Sequence, residues 1–265
     1  MPLHIAIVNL MPKKQETEQQ LLRLLEATPL SVQTTFLRME SHTPKTTPLA
    51  QMAHYRTFPE IEHNHYDGLI ITGAPVETIP FASVTYWEEL CRIMAWSTTN
   101  VRSTLHICWG AQAGLHFHHG VEKYPLPKKM FGIFAHDVRE DTPLLRGFDD
   151  VFWAPHSRHT ETRAADILAA PGLRLLSTSP RAGVYMATSQ DGRNQIFVTG
   201  HSEYDALQLR DEYARDVSKG LPIRVPENYF PNNDPTQTPP NVWRAHAHLL
   251  FANWLQFCVQ DKASG

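Results

Sequence analysis

Three short segments of this chain are almost entirely apolar and rich in Ile, Val and Leu. They are Leu3–Leu10, Tyr66–Thr72 and Thr104–Cys108. Strands that are covered on both faces have such near-continuous runs, whereas strands with one solvated face alternate apolar and polar residues. Helical patterns lie between these runs, at Gln15–Ala27 and Tyr86–Ser97. This alternation predicts an α/β fold with a mostly parallel, doubly wound sheet flanked by helices.

The remaining elements are predicted from shorter patterns. Residues Asp205–Lys219 and Val242–Val259 have the spacing of amphipathic helices, and small residues after Trp109 begin another helix. Two segments, Glu40–Pro59 and Pro226–Pro240, are rich in Pro and polar residues and are predicted to be irregular. Short strands are predicted at Ser31–Met39, Phe131–Phe134, Val151–Ala154, Leu173–Ser177, Gly183–Ser189 and Gln195–Thr199. No repeat or sharp change of composition divides the chain, so residues 1–265 are predicted to form a single domain.

Charge and composition exclude several classes of protein. The chain has 24 Lys and Arg residues against 27 Asp and Glu residues, a net charge of −3, which does not favour nucleic acid or an anionic membrane as a partner. No apolar run approaches the ~20 residues of a membrane-spanning helix, and the first residues lack the pattern of a secretory signal. Three cysteines without CxxC spacing are typical of reduced thiols. We therefore expect a cytoplasmic protein with neither a nucleic-acid nor a membrane partner.

Cys108 is the candidate nucleophile of the sequence. It lies between an apolar strand and a run of small residues that begins a helix, which is the arrangement of a strand–nucleophile–helix turn. Such a turn exposes the sulfur, and the backbone N–H of the next residue, Trp109, can donate to a developing oxyanion. Cys91 and Cys258 lie within predicted helices and are interpreted as core cysteines.

A nucleophilic cysteine needs a base, and position selects one among 15 histidines. His201 follows the predicted strand Gln195–Thr199, at the same edge of a parallel sheet as Cys108. Glu203 lies two residues further on, so in extended backbone it shares a face with His201 and can orient the imidazole. Cys108, His201 and Glu203 are therefore the predicted catalytic triad.

A second group of histidines invites a metal interpretation that the sequence does not support. His116, His118 and His119 lie close together, but no carboxylate or cysteine with ligand spacing accompanies them. A helix surface is the favoured interpretation, and no metal ion is expected.

Seven short motifs, in this order along the whole chain, resemble those of one family. The chain is similar to the homoserine O-acyltransferases of methionine biosynthesis, often called homoserine O-succinyltransferases, which have a class I glutamine-amidotransferase-like fold. The motifs are Asn9-Leu-Met-Pro-Lys-Lys14, Thr72-Gly-Ala-Pro75, Cys108-Trp-Gly-Ala-Gln112, Ala154-Pro-His-Ser-Arg158, Thr199-Gly-His201, Glu203-Tyr-Asp205 and Asn228-Tyr-Phe-Pro231.

The resemblance implies an acyl-CoA-dependent transfer through a cysteine thioester. It makes Cys108 the acylated nucleophile, His201 the general base and Glu203 its partner. It also implies substrate-binding roles for Lys129, Ser157 and Arg215, and places Lys13 near the oxyanion site. Since a guanidinium can grip a carboxylate with two hydrogen bonds and an ammonium adds a point charge, these residues suit an amino-acid substrate. No permanently bound cofactor is implied, and we expect a homodimer.

Glu77 matches the family position that separates acetyl from succinyl donors. A glutamate there disfavours the terminal carboxylate of a succinyl group, because two like charges in a confined site repel. The sequence therefore predicts acetyl-CoA as co-substrate and an acetyl-CoA-dependent homoserine O-acetyltransferase.

Alternatives stay open at this point. Some relatives acetylate serine, a succinyl donor is the other family activity, and the fold and triad are shared with glutamine amidohydrolases. Those amidohydrolases have glycine two residues before the cysteine, where this chain has His106. Two departures from the family pattern are a short segment before the first strand and Ser202, which replaces a proline between His201 and Glu203 and can affect the acceptor pocket.

Overall fold

A single nine-stranded sheet runs through the part of the molecule that the computed structural model describes, residues 1–43 and 47–260. The strand order is β2-β1-β3-β4-β9-β8-β7-β5-β6. The strands are β1 (Leu3–Val8), β2 (Val32–Leu37), β3 (Tyr66–Ile71), β4 (Val101–Ile107), β5 (Tyr124–Val138), β6 (Val151–Glu161), β7 (Leu173–Ser179), β8 (Gly183–Ser189) and β9 (Gln195–Val198).

The three apolar runs of the sequence form the centre of the parallel half of this sheet. Strands β2, β1, β3, β4 and β9 pair in parallel, and β9, β8, β7, β5 and β6 continue the sheet with antiparallel pairs. The chain moves outward from β1 to β2 and then returns to the other side of β1 for β3. The strand order therefore reverses between β1 and β3, and this is the topological switch point of the sheet.

Helices cover both faces of the sheet, as the sequence predicts. Along β1, Ile5 and Ile7 pack in one core and Ala6 and Val8 in the other. Leucines of α1 and Leu250 of α6 pack in the first core, and apolar residues of α2 and α3 pack in the second. The predicted α/β, doubly wound fold is confirmed. The helices are α1 (Lys14–Leu25), α2 (Trp87–Asn100), α3 (Trp109–His119), α4 (Ala164–Ala169), α5 (Gln208–Ser218) and α6 (Arg244–Asn253).

Two predicted strands are much longer in the structure than their sequence patterns indicate. Phe131–Phe134 is only the apolar centre of β5 and Val151–Ala154 only the first part of β6, and the two strands form a long antiparallel hairpin. Pro125, Pro127 and two lysines interrupt the alternation of β5, and the register of the hairpin shifts between Pro125 and Met130. A bulge of this kind hides a strand from a periodicity search because the side-chain period is broken.

The last predicted helix also differs in detail. Helix α6 begins at Arg244, two residues later than predicted, and continues after Asn253 as a π-helical turn, Trp254–Val259. Across the described residues, no helix combines the length and the apolar character that a membrane crossing would require.

Candidate active site

Cys108 occupies a strained turn between β4 and α3. Its backbone has φ 51° and ψ −115°, a left-handed conformation that costs free energy in a residue other than glycine and that recurs at functional sites. The Cys108 N–H donates to Val198 O at 2.7 Å, which ties the turn to β9. Gly110 lets α3 approach β3 closely, since a Cβ at that position would lie 2.6 Å from Ile71 O.

His106 packs beneath the turn and replaces the small residue that amidohydrolases have there. Its imidazole is fully buried, stacks on Phe197 and lies 2.7 Å from Gln195 Oε1. Gly114 of α3 makes room for the ring, because a Cβ there would lie 2.6 Å from Nδ1 of His106. Gly114 on α3 therefore provides the space that the His106 ring on β4 occupies.

His201 lies against Cys108, as its position at a strand end predicts, and Glu203 pairs with the His201 imidazole. Nδ1 of His201 is 2.6 Å from Oε1 of Glu203, and both side chains are buried. A Cβ added to Gly73 would be 3.3 Å from both Cys108 Cβ and His201 Cε1, so these two residues meet beside the same glycine. Tyr204 stacks on the imidazole with ring centroids 4.1 Å apart and fixes its plane.

The electrostatics of this cluster favour a charged imidazole. Burial alone would lower the pKa of His201, but the charges of Cys108 and Glu203 and hydrogen bonds to both raise that pKa well above its usual value.

The two residues expected near the oxyanion differ in their placement. Trp109 is the first residue of α3, and within the described part of the chain its backbone N–H donates to no backbone or side-chain acceptor. That N–H is therefore available next to Cys108. Lys13 does not line the cleft around Cys108, because its side chain is 58% exposed and Nζ pairs with Glu16 at 2.7 Å. The role of Lys13 near the oxyanion stays a prediction.

The three residues expected to bind an amino acid come together around two carboxylates of α5. Ser157 donates to Oε2 of Glu212 at 2.6 Å, and Lys129 Nζ is 3.5 Å from the same oxygen. Asp216 accepts from Arg215 Nε at 2.7 Å and has its other oxygen 3.6 Å from Lys129 Nζ. Acidic and basic groups therefore alternate along this wall, which suits a zwitterion.

Glu212 and Asp216 are site residues that the sequence analysis missed. A signal for them exists in α5, where Leu209, Glu212 and Asp216 follow the i, i+3, i+7 spacing of one helix face and all three are buried. Carboxylates in the apolar phase of a helix are rarely buried without a partner. A carboxylate at an apolar position of an amphipathic helix is therefore the sequence pattern that indicates these site residues.

Glu77 lines the same cleft as Cys108, in the loop after β3. Its Oε1 accepts from the His159 backbone N–H at 2.9 Å, which fixes the carboxylate. Burial raises the pKa of Glu77, and the His159 N–H and the charges of His201, Lys129 and Arg158 oppose this rise.

Ser202 does not reach the cleft. Its hydroxyl is buried and hydrogen-bonds to the Tyr185 hydroxyl on β8, and Ser202 is absent from the residues that line the cleft. The expectation that this departure affects the acceptor pocket directly is therefore corrected: Ser202 ties the loop of the base to the sheet.

The cleft has a volume of about 310 Å³, within the range of small-molecule sites. In residues 1–43 and 47–260, no group of three or more His, Cys, Asp or Glu side chains is arranged to hold a metal ion. The histidines of α3 are partly buried, contrary to the predicted helix surface. The ring centroids of His116 and Phe81 are 4.5 Å apart, and burial lowers the pKa of His118 to about 4. The residues that line the cleft are Met11, Pro12, Ala74, Pro75, Glu77, Thr78, Cys108, Lys129, Ser157, His159, His201, Tyr204, Glu212 and Arg215.

The fold is that of the class I glutamine-amidotransferase-like proteins. A glutamine amidotransferase from Methylobacillus flagellatus superposes with a TM-score of 0.63 at 14% identity, covering 100% of this chain and 98% of its own. A glutamine amidotransferase from Thermotoga maritima gives a TM-score of 0.59 at 13% identity, covering 97% and 98%. At these identities the similarity concerns the fold.

The sequence is much closer to another group with this fold. The model of the family described as homoserine O-succinyltransferase matches residues 1–264. A homoserine O-acetyltransferase of Geobacillus kaustophilus is 59% identical over 263 residues, which are 98% of this chain and 87% of the relative. A homoserine O-acetyltransferase of Thermotoga neapolitana is 55% identical over 262 residues, 98% and 86% of the two chains. The chain belongs to the homoserine O-succinyltransferase family, and the resemblance in its motifs is confirmed.

Proposed function

We propose that this protein transfers the acetyl group of acetyl-CoA to the side-chain hydroxyl of L-homoserine, through a thioester on Cys108. The observation that carries the proposal is the buried Cys108, His201 and Glu203 cluster in a cleft whose wall alternates Lys129, Glu212 and Arg215. The names of the 55–59% identical relatives support the acetyl donor and the homoserine acceptor. The reaction belongs to methionine biosynthesis, in the cytoplasm, with the whole chain acting as one acyltransferase domain.

In the first half-reaction, the Cys108 thiolate attacks the thioester carbonyl of acetyl-CoA. The carbonyl oxygen becomes an oxyanion that accepts a hydrogen bond from the Trp109 N–H. The C–S bond to CoA then breaks, and the imidazolium of His201 protonates the departing CoA sulfur. The products are neutral His201, acetyl-Cys108 and free CoA thiol, so protons and bonds balance.

In the second half-reaction, neutral His201 is the base. It removes the proton of the homoserine hydroxyl as that oxygen attacks the acetyl-Cys108 carbonyl. The C–S bond breaks, O-acetylhomoserine leaves, and the Cys108 thiolate and the imidazolium are restored. Glu203 accepts from Nδ1 of the imidazole throughout, which keeps Nε2 directed at the reacting atoms.

The acceptor is an amino acid, and the wall has a partner for each of its charges. Arg215 and Lys129 bind the α-carboxylate, with the guanidinium fork providing two parallel hydrogen bonds. Glu212 accepts from the α-ammonium, and Ser157 holds the Glu212 carboxylate in place. The expected homodimer stays a prediction.

The acyl-enzyme provides the test. The protein mixed with acetyl-CoA, without an acceptor, should gain the mass of one acetyl group on the peptide that contains Cys108 and release CoA in a burst. Cys108→Ala should abolish both signals, whereas Cys91→Ala, a partly buried helix cysteine, should retain them. Subsequent addition of homoserine, but not of glutamine, should remove the label. Label on Cys258, or glutamine hydrolysis in place of transfer, would contradict the proposal.

A further inference from the structure

A second cavity opens beside the catalytic cleft, and none of the predicted site residues lines it. Its volume is about 400 Å³, and it is formed by the loops that follow β1, β2 and β3. We call it the crevice. Its lining is mostly apolar and includes Leu10, Met11, Met39, Val76, Ile79 and Val84.

The crevice lies at a distinctive place in the fold. Strand order reverses between β1 and β3, and the crevice is lined by residues that follow these two strands: residues 9–12 after β1, and Pro75, Val76, Ile79 and residues 83–86 after β3. In open α/β sheets, ligands bind outside the carboxyl ends of the strands at the point where the strand order reverses. The topology therefore indicates a ligand site independently of the cavity itself.

The crevice and the catalytic cleft are continuous. Met11, Pro12 and Pro75 line both cavities. A Cβ added to Gly73, which would contact both Cys108 and His201, would lie 3.6 Å from the Met11 sulfur. Met11 therefore lies between the reacting sulfur and the crevice. Lys129, Ser157 and Arg215 line the cleft and not the crevice. The crevice therefore extends from the cleft on a side other than that of the proposed acceptor site.

The charged residues of the crevice are all basic. Lys14, Arg38 and His42 line it, and no carboxylate does among the residues that the structure describes. The Lys14 ammonium is buried and donates to the Asn9 carbonyl, whereas the Arg38 guanidinium has no hydrogen bond or ion pair within residues 1–43 and 47–260. An apolar wall with basic groups fits a long, mostly uncharged arm that carries phosphates.

We propose that the crevice binds the pantetheine arm of the acetyl-CoA donor, with Arg38 facing its phosphates, so that the thioester reaches Cys108 past Met11. The proposal rests on the proposed function and assigns a binding site to its donor. The arm fits the apolar lining, since a pocket of this size is typical of small-molecule ligands.

Another groove reaches the cleft from the Lys129 side and is the rival route. Its volume is about 670 Å³, and Lys128, Arg181 and Arg224 are among its basic residues. Arg181 is already paired with Glu227, Lys129 is held by Glu212, and the Glu227 carboxylate itself lines this groove, which adjoins the acceptor side. Arg224→Gln therefore serves as the comparison variant for Arg38→Gln.

Three acyl donors distinguish contacts with the pantetheine arm from contacts with the phosphates. Acetyl-CoA has the arm and the phosphates, S-acetylpantetheine lacks the nucleotide, and S-acetyl-N-acetylcysteamine retains little more than the thioester. Ser83→Trp fills the crevice from an exposed position, and Ala82→Trp places the same bulk on the neighbouring exposed residue outside its lining. Ser83→Trp should raise KM roughly tenfold or more for both pantetheine donors and leave kcat/KM of the short donor within about twofold. Ala82→Trp should resemble wild type with all three donors.

The role of the Arg38 charge is tested with the same donors. Arg38→Gln should raise KM roughly tenfold for acetyl-CoA and not for S-acetylpantetheine, with the KM for homoserine unchanged, and Arg38→Lys should restore much of the loss. Thermal melting of each variant verifies folding, and CoA binding to Cys108→Ala combined with Arg38→Gln measures the same site without turnover. Equal effects of Ser83→Trp on all three donors would overturn the proposal that the crevice binds the arm. A raised KM for acetyl-CoA in Arg224→Gln, and not in Arg38→Gln, would overturn it as well. Failure of the wild type to acetylate homoserine with every donor would overturn the proposed function, which is a distinguishable result.

Discussion

The Ser157 hydroxyl donates a 2.6 Å hydrogen bond to Glu212 Oε2, across a sequence separation of 55 residues. The same carboxylate oxygen lies 3.5 Å from Lys129 Nζ, and the Tyr204 hydroxyl also bonds to Glu212. Tyr204 in turn stacks on His201. Glu212 therefore connects the predicted acceptor residues with the ring that supports the base, and its charge lies where an amino group can reach it.

Glu212→Gln should weaken the amino-acid acceptor and leave the donor half-reaction almost intact. A neutral amide keeps the size of the side chain but loses the charge that pairs with an α-ammonium, and a charge-assisted hydrogen bond is worth about 1.5–3 kcal/mol. The KM for homoserine should rise roughly tenfold or more, while the burst of CoA release from acetyl-CoA stays within about twofold of wild type. Asp211→Asn, on an exposed position of the same helix, is the matched control. Equal damage to both half-reactions would assign Glu212 to the fold alone.

The sequence predicts the catalytic elements of this site better than its binding wall, and the reason is physical. The buried strands appear as local apolar runs, because a strand covered on both faces needs no polar residue. Each strand end then indicates where Cys108 and His201 lie. The burial of Glu212 and Asp216 is visible in the apolar phase of α5, but their contacts with Lys129 and Ser157 arise only through tertiary packing, which no local pattern reports.

Local patterns also do not show which of two possible partners a residue contacts. Lys13 lies in a motif next to the catalytic edge, yet Glu16 is three residues away on the first turn of α1 and captures its ammonium at 2.7 Å. The crevice likewise has no local pattern of its own: two of the family motifs contribute residues to it, but its three loops come from separate parts of the sequence and only the strand order brings them together.

Glu203→Gln should narrow the pH range of the first half-reaction. The Glu203 charge helps to raise the pKa of His201, so an amide lowers that pKa and the imidazolium loses its proton at a lower pH. The alkaline limb of kcat/KM for acetyl-CoA should shift toward lower pH, with the rate near neutrality reduced but measurable. Stopped-flow release of CoA across pH gives this profile. An unshifted alkaline limb would mean that Glu203 does not act through the charge of His201.

Glu77→Gly should change the choice between acyl donors. The carboxylate lines the cleft with Cys108 and is held by the His159 N–H, so a succinyl carboxylate would meet a fixed like charge. At a few ångströms and an effective dielectric near 20, that repulsion is on the order of 4 kcal/mol before screening. Removing it should raise the ratio of kcat/KM for succinyl-CoA to that for acetyl-CoA roughly tenfold or more. Thr78→Gly, on the next residue of the same loop, is the control for loop flexibility. An unchanged donor ratio in Glu77→Gly would leave donor choice to other residues.

The buried histidines should make the fold sensitive to acid. Burial lowers the pKa of His106 and of His136 to about 3, that of His118 to about 4, and that of His156 well below its usual value. These rings stay neutral in the folded protein, while the unfolded chain binds protons below about pH 6.5. The unfolded state therefore gains protons as pH falls, and each such ring removes up to about 1.4 kcal/mol of stability per pH unit between its two pKa values.

The raised pKa of His201 changes stability with pH in the opposite direction. Its raised pKa adds stability that is complete below about pH 6.5 and is lost only as pH rises through the folded value, so it does not contribute to this slope. Urea unfolding at a series of pH values between about 7 and 5 should show a steady fall in the free energy of unfolding. His118→Gln, at a partly buried position, should reduce the slope by up to one proton, and His63→Gln, whose side chain is 92% exposed, should leave it unchanged. A free energy of unfolding that stays constant over this range would show that the buried rings are protonated in the folded protein.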